Sequence, residues 1–175
     1  MVEFLLFLIP SLIYVLVMRR SLGMRRAGAN VGWQWGSWRT AGFAVALFPI
    51  LLGLGYVGTR LVASADLSAP GVVIAQGISL AIILRAVGEE IFFRGFLGGM
   101  LLRQLGFWVG NSIQAAIFLL PHLLLLTIDA RLWPILPIQY VVGWILGALR
   151  YRSGSVIECA ILHAALNTAI GMLVG

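Results

Sequence analysis

The chain has 175 residues, 61% of them hydrophobic and only 10% charged, with a mean hydropathy of +1.03. A soluble domain is nearer half apolar and a quarter charged, so this composition excludes one and marks a polytopic membrane protein. The formal charge of +6 comes from twelve arginines and no lysine against six acids; in so apolar a chain it reflects topology and headgroup contact, and nucleic acid is not expected as a partner.

Helices must carry the spans, because backbone groups in lipid have to be satisfied internally and the alternation of barrel strands is absent. The expected fold is therefore all-α, a transmembrane bundle of about six spans in a single domain over residues 1–175. Val2 to Met18 form the first span, kinked at Pro10 and read as an uncleaved anchor, because no basic region precedes it. Arg19, Arg20, Arg25 and Arg26 follow it and set that end on the cytoplasmic side. Trp33, Trp35 and Trp38 with Arg39 read as a segment at headgroup level. The second span runs from about Ala41 to Val62, and residues 63–70 make an outer turn. A third begins near Gly71 and ends around Glu89 and Glu90, with a short interfacial piece through Arg103. Phe107 to Thr127 form the fourth span, and Asp129 to Trp133 the next outer loop. The fifth covers about Trp133 to Leu149, closed by Arg150 and Arg152, and the sixth about Ser155 to Val174. Of the loop arginines, eight then fall inside and Arg60 and Arg131 outside. Residues 1–62 make two spans without a motif, and 71–175 the core that carries chemistry.

Polar groups within the spans are few. Ionisable side chains there cost several kcal/mol each and gather where there is work for them. Arg85, Glu89, Glu90 and Arg94 sit on the third span, His122 on the fourth, and His163 with Asn167 on the sixth; the chain has no other histidine. Residues four apart share a helix face, so His163 and Asn167 point the same way, as do Glu90 and Arg94. Adjacent residues point about 100° apart, so Glu89 and Glu90 cannot do the same job. Spacing makes Glu90 the brace of Arg94 and Glu89 the working base, although Arg85 stands where it could hold Glu89. A carboxylate, two imidazoles and an amide in a water-poor bundle suit hydrolysis. One group takes a proton from water, and others donate hydrogen bonds to the oxyanion that forms. Cys159 is the only cysteine, so a disulfide within the chain and a zinc site built on cysteines are excluded.

Glu89-Glu90-x-x-x-Arg94, Phe118-x-x-x-His122 and His163-x-x-x-Asn167 resemble the three ordered motifs of the CAAX prenyl protease and bacteriocin-processing family, intramembrane glutamate proteases also called abortive-infection-like. Any one motif is weak; all three in order, each on its own span, are specific. The resemblance covers about residues 71–175. It implies peptide-bond hydrolysis by a glutamate-activated water without metal or cofactor, on a membrane-associated protein or peptide. The cavity would open to the cytoplasmic leaflet of a prokaryotic inner membrane. It also implies roles: Glu89 as general base, His122 as its helper, His163 and Asn167 as the oxyanion-binding pair, and Glu90 and Arg94 as supports. CAAX-type tails, leader peptides and C-terminal sorting tails all fit as substrates.

Each residue also has a structural reading. Glu90 with Arg94 can be a brace alone, a histidine in a span can be a packed hydrogen-bonder, and Asn167 can be interhelical glue. A zinc-dependent protease ligated by Glu89, His122 and His163 is a rival with the right ligand number. The aspartyl type fails because Asp66 and Asp129 lie in loops, and a serine enzyme fails because Leu80 stands where glycine is expected. The rival from another class is a non-catalytic binding or immunity protein, which has no need of Glu, His, His and Asn together. The sequence carries no signal for an oligomeric state.

Overall fold

The computed structural model describes residues 2–63, 80–127 and 129–174. Over these the chain is a helix bundle: α1 (Val2–Leu22), α2 (Met24–Asn30), α3 (Trp38–Ala63), α4 (Leu80–Glu90), α5 (Gly98–Phe118), α6 (Leu120–Leu125), α7 (Ile135–Ser153) and α8 (Val156–Val174). A π-helical segment, Ile91–Leu97, joins α4 to α5, and one 3-10 turn, Ala130–Leu132, precedes α7. Among the described residues four helical stretches are long and apolar enough to cross a membrane: Glu3–Leu22, Trp38–Leu61, Leu80–Leu125 and Val156–Leu173. The chain is thus an integral membrane protein of the all-α class. The start of the expected third span, 71–79, lies outside the described residues.

The outer faces follow from lipid as solvent. On α1 the residues Leu5, Leu6, Ile9, Leu12, Ile13, Leu16 and Val17 are all exposed, a stripe at helical spacing where a soluble helix would be polar. The core lies where α3, α7 and α8 meet: Ala44 and Leu51 pack with Leu146 and Leu149 and with Cys159, Leu162 and Leu166. Cys159 is wholly buried there, its thiol donating to the Leu146 carbonyl at 3.4 Å. A smaller cluster, Val15, Ala27 and Val31, fixes α2 beneath α1.

Local chemistry explains the ends. Ser37 precedes α3 and accepts from the Thr40 N–H at 3.3 Å, while the Ser37 N–H donates to the Thr40 hydroxyl at 2.9 Å, a reciprocal cap. Gly154, at φ 69°, ends α7 in the left-handed region that glycine enters without steric cost. Trp35 and Trp38 are largely exposed, at 75% and 80%, in keeping with side chains at headgroup level.

The structure departs from the sequence reading after Glu90. The helix does not stop there to leave a short piece in the interface. It continues from α4 through the π segment into α5 and reverses at Gly106, whose φ of 72° and ψ of −179° lie outside helical values. Beyond that point the second leg of α5 runs back along the first, so that Gly110 abuts Leu101 and Gln114 lies against Gly98. Arg103, exposed near that reversal, donates to the Asn30 carbonyl at 2.7 Å, and its guanidinium carbon lies 5.8 Å from the centre of the Tyr14 ring. A single glycine changes the path because only there does the backbone take a positive φ within the hairpin.

Candidate active site

The last turn of α4 and the π segment carry the carboxylates and Arg94 at the centre of the bundle. Glu90 and Arg94 are completely buried, each 0% exposed. The Arg94 Nη1 donates to Glu90 Oε1 at 2.8 Å, and the His163 Nδ1 lies 2.8 Å from the same oxygen. An ionised carboxylate only accepts, so Nδ1 of His163 carries the proton and the ring turns its Nε2 away from Glu90. Arg94 is held on two more sides. Its guanidinium lies 4.2 Å from the Phe118 ring centre, and Nη2 donates to the Gly143 carbonyl at 3.4 Å. One ion pair therefore ties α4, α5, α7 and α8 together. A buried pair is weak evidence of net stabilisation, because desolvation offsets the attraction; losing one member is what costs.

Glu89, one residue earlier, points elsewhere. Its Oε1 accepts from the Arg85 Nε at 3.0 Å, and Arg85 in turn lies 3.8 Å from Glu3 on α1. Glu89 is buried, whereas the Arg85 side chain is 57% exposed. Both glutamates thus have an arginine at four residues' distance, one pair sealed in the core and the other opening outward.

His122 stands on α6, half-buried. The helix breaks at Leu119 and restarts with Pro121 in its first turn, which has no N–H to donate. The His122 ring folds back so that Nδ1 lies 3.1 Å from the Phe118 carbonyl. A carbonyl only accepts, so here too Nδ1 holds the proton, and in the neutral ring Nε2 keeps its lone pair. The ionisable groups nearest this ring in their effect are Glu89, Arg85 and His163. Phe118 lies between the parts, 5.1 Å from Phe93 and 5.0 Å from His122 by ring centres. Asn167 lies half-buried on α8, one turn beyond His163, and its amide makes no hydrogen bond among the described residues.

The structure therefore brings Glu90, Arg94, His163 and Phe118 into direct contact, and sets His122 within electrostatic reach of Glu89 and His163. Among the described residues no three His, Cys, Asp or Glu side chains come close enough together to hold a metal ion, the trio Glu89, His122 and His163 included. An apolar groove of about 550 Å³ lies between this segment and α8, lined by Ile83 and Val87 of α4, Ile91 of the π segment, Ala160 and Ala164 of α8, and Trp33; the motif residues themselves do not line it. That volume is within the usual range for a ligand pocket.

Sequence reasoning passed over the Gly143 carbonyl and Ser11. The Gly143 carbonyl carries no side-chain signal. Ser11, on α1, is completely buried and donates to the Ile91 carbonyl at 3.0 Å. Its signal was available: it is a hydroxyl on the same helix face as Phe4, Phe7 and Tyr14.

No curated protein and no solved structure matches the chain. A family model does, that of the type II CAAX prenyl endopeptidase Rce1-like proteins, over residues 71–169. The match includes every motif residue from Glu89 to Asn167 and leaves α1, α2 and α3 outside it. The chain, a membrane-embedded helix bundle with Glu90, Arg94 and His163 in contact in its interior, belongs to the Rce1-like family of CAAX-type intramembrane proteases.

Proposed function

We propose that this protein is a glutamate-dependent endopeptidase that cuts a membrane-associated peptide. The Glu89 carboxylate takes a proton from water, and the resulting hydroxide adds to the scissile carbonyl. His122, with its Nε2 lone pair open, accepts a hydrogen bond from the same water and orients it. The Asn167 amide and His163 then donate to the oxyanion. With Nδ1–H committed to Glu90, His163 can donate from Nε2 only as the imidazolium, and the Glu90 carboxylate offsets that charge. On collapse the C–N bond breaks, the proton held by Glu89 passes to the leaving amine, and the carboxylate is regenerated. Glu90 and Arg94 act as supports and do not touch the substrate. One unit, residues 1–175, carries this chemistry without a metal or other cofactor.

The observation that carries the reading is the 2.8 Å contact between His163 and Glu90, which joins the first motif to the third across 73 residues of sequence. The apolar groove beside it suits an extended apolar chain on the substrate, as a lipid-modified tail would have. His163 lies about 10 Å along α8 from Val156, at the end of the bundle where Arg150, Arg152 and the tryptophans gather. That depth supports a site in the cytoplasmic leaflet. The proposed topology has six crossings, with the two legs of α5 counted apart, and the proposed setting is a prokaryotic inner membrane.

The test is cleavage of a farnesylated CAAX-type peptide by the purified protein in phosphatidylglycerol vesicles. Wild type should cut it, with and without a strong chelator, and Glu89→Gln should not, although it folds. Near-normal turnover by that variant would remove Glu89 from its role. Activity lost to chelator and restored by zinc would replace the mechanism with a metal-dependent one. A folded wild type that cuts neither lipidated nor unmodified peptides would leave the binding-protein reading.

A further inference from the structure

The π-helical segment Ile91–Leu97 begins directly after Glu90 and contains Arg94. A π turn pairs each carbonyl with the N–H five residues on, where an α-helix uses the fourth. It therefore takes in one extra residue, and everything beyond it is turned by about 100° relative to an unbroken α-helix. That change of face matches what the two sides contact. Upstream, Glu90 meets His163 on α8; downstream, Gly98 and Leu101 lie against Gln114 and Gly110 on the returning leg of α5. Such segments are uncommon and tend to lie at functional sites, because the wider turn is less favourable than the α turn it replaces. Something must hold it.

On α1 one face does so. Phe4 lies so close to Gly88 that a Cβ there would stand 3.2 Å from the Phe4 Cα. Phe7 packs on Phe92 and Phe93 at ring separations of 5.7 and 5.8 Å, and Tyr14 on Phe96 at 6.1 Å. Between them Ser11, completely buried, donates its hydroxyl to the carbonyl of Ile91, the first residue of the π segment, at 3.0 Å. A carbonyl can accept two hydrogen bonds, and a buried donor on one whose helical partner is displaced favours the displaced form. Residues 4, 7, 11 and 14 follow helical spacing, so a single face of α1 touches the motif helix above, at and within the π turn.

We infer that Ser11 is a positioning residue: its hydrogen bond to the Ile91 carbonyl holds the π turn, and the π turn sets Glu89 and Glu90 toward the site while Arg94 reaches back to Glu90. The helix that the family match leaves out is in this way part of the active unit. The inference deepens the hydrolase reading and rests on it for its consequence, but not for its geometry.

The test separates the two. In a Cys159→Ala background, Tyr14→Cys and Phe96→Cys report register by disulfide formation in vesicles, since residue 96 lies inside the segment and turns away if it relaxes to an α-helix. Ser11→Ala and Ser11→Val should lower the cross-linking yield, and in the native-cysteine protein lower kcat on the farnesylated peptide with KM little changed. Each drop should be about tenfold, the worth of one hydrogen bond. Ser11→Thr, which has the shape of valine and keeps the hydroxyl, should restore both. Ser21→Ala, whose hydroxyl bonds the Met18 carbonyl on the exposed side of α1, should change neither. Cross-linking by Ser11→Val equal to that of wild type would overturn the inference, whatever the activity. A wild type that cleaves nothing while the cross-link still depends on the hydroxyl would sink the hydrolase reading and leave the role of Ser11 in the π turn standing.

Discussion

Glu89 and Glu90 have the same side chain, adjacent positions and an arginine four residues away, yet their surroundings differ. Glu90 is sealed among four helices with Arg94 and His163 on one oxygen, and neither member of its ion pair meets solvent or lipid. Glu89 is turned about 100° away, and its partner Arg85 is more than half exposed and shared with Glu3. Equal spacing thus gives two pairs of different worth. A buried pair is costly to break because the survivor is left charged in a medium that cannot solvate it. A pair whose arginine is more than half exposed is worth far less, about 1 kcal/mol. The comparison sets a glutamate sealed in a four-helix brace beside one whose arginine opens outward, and under the proposed function the second is the base.

The sharpest way to break that contrast is at Glu89. Glu89→Gln should lower turnover of the vesicle-bound peptide by about 10²–10⁴-fold, the worth of a general base, while thermal unfolding in detergent stays close to wild type. Equal losses of folding and activity would erase the division of labour. Arg94→Met comes next. It strands the Glu90 carboxylate in the core and should cost about 3–5 kcal/mol of stability, read as a large drop in melting temperature. Asn167→Ala should lower kcat by about 10²–10³-fold with little change in KM or stability, because its amide is uncommitted until the oxyanion forms. Arg85→Gln has the spacing of Arg94→Met but removes a guanidinium that is more than half exposed, so its stability loss should stay at about 1 kcal/mol. A loss as large as that of Arg94→Met would show that exposure does not decide the matter.

The smallest effect lies outside the spans. The Arg131 side chain and N–H bond the Asp129 carboxylate and hold it below the usual carboxylate range. A depressed folded pKa gives stability that is present above the unfolded value near 4 and is lost as pH falls through the folded one. Melting temperature should therefore show a slight loss on acidification below about pH 4, and Asp129→Asn should remove that slope.

Much of this was open to reading from the chain. Apolar runs of crossing length follow from lipid thickness, and i,i+4 contacts such as Glu90 with Arg94 follow from helix geometry alone. The motif order placed Glu89, His122 and the His163–Asn167 pair on three separate helices, and the family match over 71–169 agrees with the resemblance those motifs carry. Two features were not open. The continuation of the motif helix past Glu90 to the reversal at Gly106 was masked by a run of glycines and aromatics, Gly95 to Gly110, that reads equally well as an interfacial piece. The π turn has no composition of its own.

By itself, the sequence determined the solvent of this protein, its helical class and which few side chains bear the cost of charge in lipid, because those depend on local composition and period. Tertiary structure alone decided that His163 sits on Glu90 and not on Glu89, that α1 lays a hydroxyl against Ile91, and that one ion pair meets four helices. Those contacts join residues 49 to 80 positions apart, and which of several polar groups meet across such distances depends on how the helices pack.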